Sequence, residues 1–86
     1  MIHKVLTINN PNGLSARTAA DFVQLASGFE SQMLIEKGNK KVNAKSIMGV
    51  LSLCVGKDDT MHLIITGNDE KAAMEAMQRF VECPEE

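Results

Sequence analysis

The sequence predicts an α+β fold: a four-stranded antiparallel sheet with three helices on one face, in the order β-α-β-β-α-β-α. Three observations carry this. Short stretches alternate apolar and polar residues, as half-buried strands do; longer ones repeat their apolar positions with helical period; and a Gly-Asn pair joins two of the strands directly. Each helix has a single apolar face, so the helices can cover only one side of an antiparallel sheet, giving an open-faced sandwich. The 86 residues form one domain, 1–86.

"IHKVLTI" opens the chain as a strand, with Ile2, Leu6 and Ile8 on one face and His3, Val5 and Thr7 on the other. The turn residues of "NPNG" close it. From Ser15 to about Ser27, Ala19, Phe22, Val23 and Ala26 follow the i, i+3, i+4, i+7 pattern of an amphipathic helix, which ends near Gly28. "SQMLIEK" and "KKVNA" flank Gly38-Asn39 as a hairpin. "SIMGVLSL" reads as one or two helical turns capped by Ser46, and "TMHLIIT" as a strand burying Met61, Leu63 and Ile65. The last helix is capped by Asn68 or Asp69, carries the stripe Ala73, Met74, Met77, Phe80 and Val81, and stops at Pro84.

Composition narrows the function. The net charge is −2, and the nearest approach to a basic cluster is Lys37, Lys40, Lys41 and Lys45. With only three aromatic residues, all Phe, the chain has neither the charge nor the stacking groups of a nucleic-acid groove. No apolar run is long enough to span a bilayer. "MIHKVLTINN" turns polar before a signal-peptide core can form. Cys54 and Cys83 lie in no C-x-x-C motif, so no zinc or redox centre is expected. His3 and His62 fall on outward strand faces, where they could be neighbours across paired strands and bind adventitious metal; they are read as surface imidazoles, with no metal or cofactor assigned. The expected location is the cytoplasm, with both thiols reduced.

Two serines stand at helix starts. Ser15 is placed to cap the first helix, accepting hydrogen bonds from its free N–H groups, and Arg17 adds positive charge in the same turn. Ser46 is placed to cap the second. Lys45 precedes it, and Ile47, Met48 and Leu51 share a face beside it. A phosphate on Ser46 would sit at a favourable helix end and add charge next to an apolar patch. On spacing alone, a plain cap is the favoured reading at both positions.

The motifs "NPNGLSARTAA" and "VNAKSIMGVLSL", with "FVQLASGFES" and "GNDEKAAMEAM" in support, resemble the HPr family, the phosphocarriers of the bacterial phosphotransferase system. The resemblance spans essentially the whole chain, and the family's fold has the element order read above. The family carries Gly-(Leu/Ile)-His-Ala-Arg-Pro-Ala-Ala at its first motif. Here Ser15 replaces the phosphoryl-accepting histidine and Thr18 the proline. Phosphohistidine is labile enough for a relay, whereas a serine phosphoester traps the phosphate, so relay activity is expected to be lost and no catalytic residue is assigned.

The second motif matches the serine-phosphorylation segment, and the subgroup resembled is the Crh type, which lacks the histidine. The resemblance implies phosphorylation of Ser46 by HPr kinase/phosphorylase, then corepressor binding to a LacI-type catabolite control protein. Arg17, Ser15, Ile47, Met48, Leu51 and Lys45 are the implied contacts. Crh proteins typically have glutamine where Ser15 stands. Two other readings stay open: residual or engineered-away phosphotransfer at Ser15, and an unmodified competitive scaffold that engages enzyme I non-productively. Thr18 favours natural divergence over an engineered histidine loss. The chain is expected as a monomer or a strand-swapped dimer, because the first strand precedes a Pro/Gly loop and shows Val5 outward.

Overall fold

Strand alternation decides which side of the sheet becomes the interior. In the computed structural model, which describes residues 1–83, Met61, Leu63 and Ile65 of one strand are fully buried, and so are Met33 and Ile35 of its neighbour. The elements are β1 (Ile2–Thr7), α1 (Ala16–Ser27), β2 (Gln32–Lys37), β3 (Lys40–Asn43), α2 (Ile47–Ser52), β4 (Thr60–Thr66) and α3 (Glu70–Glu82). The sheet order is β1-β4-β2-β3, with every neighbouring pair antiparallel. This is the predicted architecture. Pro84 lies outside the described residues.

The helices complete the core from one side. Ala19, Phe22 and Ala26 are the buried residues of α1, and Ala73, Met74, Met77 and Val81 those of α3. Phe80, expected in the core stripe, is only half-buried; it meets Phe22 edge-on, with ring centroids 5.9 Å apart. That geometry lets the positive ring edge face the negative ring centre. Four of the six methionines (Met33, Met61, Met74 and Met77) are core residues, where a flexible thioether fills gaps between small alanines.

Gly28 ends α1 as expected, in right-handed conformation with φ −77°. One local reading needs correction. Asp69 precedes α3 yet makes no side-chain cap bond. Its carboxylate instead accepts from the Glu30 and Ser31 N–H groups (2.8 and 3.0 Å) and from the Ser31 hydroxyl, tying α3 to the entrance of β2. The N-terminal end of α3 is served by Glu70, whose carboxylate accepts from Gly67 N–H at 3.1 Å. Lys4 falls on the inward-facing side of β1 but reaches the rim, donating to Gln78 of α3 at 3.2 Å.

A second tether holds the long loop before β4. The Lys37 ammonium donates to the Cys54 carbonyl at 2.9 Å and pairs with Asp59 at 3.1 Å, while Asp59 also accepts from Gly56 N–H at 2.8 Å.

These carboxylates make stability pH-dependent. Asp69 is held below the usual carboxylate range, chiefly by the Ser31 hydroxyl and then by the Glu30 N–H. Asp59 is lowered by the Gly56 N–H and then by Lys37, and Glu70 by the Gly67 N–H and then by the terminal ammonium. A folded-state value below the unfolded one means that the unfolded chain takes up protons first as pH falls. The contribution is therefore complete above the ordinary carboxylate range, and is lost as pH drops through the folded values. Denaturant midpoints should hold steady from pH 7 to about pH 5 and fall below about pH 4. Asp69→Asn should lower the neutral-pH midpoint and flatten part of that acid slope, and an unchanged slope would remove Asp69 from the account.

Candidate functional site

Gly13 positions the first motif. Its φ is +62°, and a Cβ there would lie 2.5 Å from the Val55 carbonyl oxygen and 2.6 Å from the Gly56 Cα. Only glycine allows the loop to lie this close to the segment before β4, where Leu14 N–H then bonds the Val55 carbonyl at 2.9 Å. The loop delivers Ser15, exposed and extended, to the N-cap of α1.

The expected cap bond from Ser15 is not made. Its hydroxyl donates to that of Thr18 at 3.5 Å, and no first-turn N–H reaches it. Arg17 is exposed and makes no ion pair among the described residues. The start of α1 thus holds a serine hydroxyl paired with Thr18 and a guanidinium without an ion pair, with no imidazole beside them among the described residues. His3 and His62 lie on β1 and β4, away from the start of α1.

Ser46 does cap. Extended at φ −111°, it accepts from Gly49 N–H at 3.1 Å through its side chain, and its carbonyl accepts from Val50 N–H at 2.9 Å. The fit around Gly49 is tight: a Cβ there would lie 3.1 Å from the Val42 Cβ and 3.3 Å from the Ser46 oxygen. The glycine therefore lets α2 settle on β3 while its N–H meets the cap. Beside Ser46, Ile47 is 40% exposed and Met48 76%, while Leu51 is half-buried against the core. The predicted patch is present, with Met48 as its exposed centre and Leu51 as its root.

Lys45 differs from the simple reading. Its ammonium donates to the Phe29 carbonyl at 2.7 Å, so part of its hydrogen-bonding capacity joins α2 to the end of α1. α1 packs directly against α2, which puts both helix starts into one structural unit. Sequence reasoning missed the buried Asn10 at the α1 approach, whose amide donates to the Phe80 carbonyl at 3.4 Å. It also missed the Lys37 tether. Neither has a periodic signal, since both serve contacts distant in sequence.

The family model described as the PTS HPr component phosphorylation site matches residues 2–83. The chain belongs to the HPr family. The HPr-like protein Crh of Halalkalibacterium halodurans is 52% identical over 82 residues, covering 95% of this chain and 98% of the relative. Among solved structures, phosphocarrier HPr from Bacillus anthracis superposes with a TM-score of 0.91 at 42% identity, covering 93% and 95% of the two chains. Crh of Bacillus subtilis, described as a swapped dimer, superposes at 0.76 with 44% identity, covering 95% and 94%. HPr and Crh proteins are phosphocarriers or regulators and not enzymes, and this chain is an HPr-family protein of the phosphotransferase and catabolite-repression system. Among the described residues, no helix is long and apolar enough to cross a membrane.

The two caps should differ in stability experiments. Ser46→Ala removes a made cap bond and should cost about 1 kcal/mol. Ser15→Ala removes none and should stay within about 0.5 kcal/mol of the parent. Urea denaturation of both variants checks this, and equal losses would mean that the Ser15 hydroxyl caps α1 in solution.

Proposed function

We propose that this HPr-like chain is a regulatory protein switched by phosphorylation of Ser46, and not a phosphoryl relay. One observation carries the reading: the hydroxyl at the α2 N-cap stands beside Ile47 and Met48, two of four large apolar side chains exposed among the described residues. A phosphate on Ser46 would face the N–H groups of the first turn of α2, so the helix keeps its shape while the surface gains charge. HPr kinase/phosphorylase is the proposed modifying enzyme. A LacI-type catabolite control protein is the proposed reader, its basic pocket taking the phosphate while Ile47, Met48 and Leu51 supply apolar contact. Arg17, free of ion pairs among the described residues, is the proposed cationic contact, with Ser15 and Lys45 as further proposed contacts.

Intact mass after incubation with each donor system tests this first. ATP with HPr kinase should add one phosphoryl group, lost in Ser46→Ala; phosphoenolpyruvate with enzyme I should add none, although enzyme I can still bind. Calorimetry should then show the repressor binding the phosphorylated chain much more tightly, and Met48→Asp should cost about 2 kcal/mol of that binding. Equal affinity for both forms would leave Ser46 as a helix cap and the scaffold reading in its place. Label from phosphoenolpyruvate would return the chain to the phosphocarriers.

A second proposal concerns assembly: β1 exchanges between two chains. β1 is an edge strand of the sheet and leads into the turn over residues 10–13, closed by the Gly13 N–H on the Asn10 carbonyl at 2.9 Å. The Bacillus subtilis Crh crystal structure, 44% identical to this chain, is described as a swapped dimer. Light scattering across a concentration series should show the mass of two chains at the upper end. A single-chain mass throughout would refute the exchange.

A further inference from the structure

On the face of the sheet that no helix covers, two imidazoles meet. Val5 of β1 pairs with His62 of β4, and His3 pairs with Ile64, so His3 and His62 are diagonal neighbours on that face. Their side chains close the gap: His3 Nε2 lies 2.8 Å from His62 Nδ1, with ring centroids 5.0 Å apart and planes tilted by 53°. His3 is exposed and His62 half-buried. Glu36 of β2 is the register partner of His62 on the opposite side, and it pairs in turn with Lys41 of β3.

We infer that His3 and His62 form a two-nitrogen chelating site for a divalent late transition ion that prefers tetragonal geometry, Ni2+ or Cu2+. Metal–imidazole bonds are about 2.0–2.1 Å long, so two nitrogens at a right angle on one ion stand about 2.9 Å apart. At the tetrahedral angle favoured by Zn2+ they stand about 3.3 Å apart. The hydrogen-bonded nitrogens already stand 2.8 Å apart, so the right-angle bite requires rotation of the rings but almost no change of spacing. Because χ2 of histidine is soft, modest ring rotations turn both lone pairs toward solvent and one ion.

The proton balance is simple. In the free pair, one neutral ring donates its N–H to the other. On metal binding that proton moves through solvent to the far nitrogen of its own ring, both facing nitrogens become ligands, and two metal-bound waters leave. The Glu36 carboxylate lies on the same face and lowers the cost of the added positive charge. Among the described residues, no group of three or more His, Cys, Asp or Glu is placed to enclose an ion. The remaining coordination positions therefore stay with water, and the site is open. Because its ligands come from β1 and β4, a bound ion ties the edge strand to the centre of the sheet.

Ni2+ is the probe, since Cu2+ would oxidise the exposed thiols of Cys54 and Cys83. Calorimetric titration should find one Ni2+ per chain. Holding the second imidazole in place should make the pair about a hundredfold tighter than a single histidine. His3→Gln and His62→Gln should each abolish that advantage, and the double variant should add little further loss, the non-additivity expected when two groups act as one. Ni2+ should also raise the melting temperature of the parent and of a Cys54→Ser/Cys83→Ser variant, but not that of either histidine variant. No binding, a simple sum of losses in the double variant, or loss of binding in the cysteine variant would each overturn the proposal.

Discussion

The interior depends on one constraint: β4 has a sheet neighbour on each side, and its alternation must put Met61, Leu63 and Ile65 on the same side as Met33 and Ile35 of β2. A one-residue slip at either ladder would bring His62 and Ile64 to the core side and drive the buried set into water. Register is therefore fixed by burial, and the three helices have only one face to cover. Where α1, α2 and their two leading loops stand follows from that choice. The loop before α1 is then fixed more finely by Gly13, which fits against Val55 and Gly56 only because it has no side chain.

The two helix starts show how similar sequence signals reach different ends. Ser15 and Ser46 are both extended N-cap residues, yet only Ser46 makes the cap bond. At α2 the N–H of Gly49 is held within reach by the packing of that glycine on Val42, so the hydroxyl has a fixed donor. At α1 the hydroxyl turns instead to that of Thr18, three residues on, and the two form a small polar contact at the helix start.

Much of this was legible in the sequence, because the strongest signals are periodic. The faces of β4, α1 and α3 follow from spacing, and the hairpin from Gly38-Asn39, with Gly38 at φ +62°. The patch at Ile47 and Met48 was legible as well, since a short helix cannot bury a full apolar turn. What stayed hidden depends on pairs distant in the chain. Asp69 looks like a helix cap and serves Ser31, 38 residues away. Lys45 looks like a free charge and holds the Phe29 carbonyl. That His3 and His62 could be neighbours was open from their outward faces, but the contact itself needed the β1–β4 register, which period-2 patterning alone does not supply.

The brevity of α2 has a consequence for recognition. A helix of six residues closes too few internal hydrogen bonds to persist alone, so α2 exists only while α1 and β3 hold it. Ser46, Ile47 and Met48 therefore take up their mutual arrangement only in a chain whose hairpin and first helix are already assembled. Any protein that reads this surface also proofreads the fold: a nascent, nicked or partly opened chain carries the same three residues but cannot present them together.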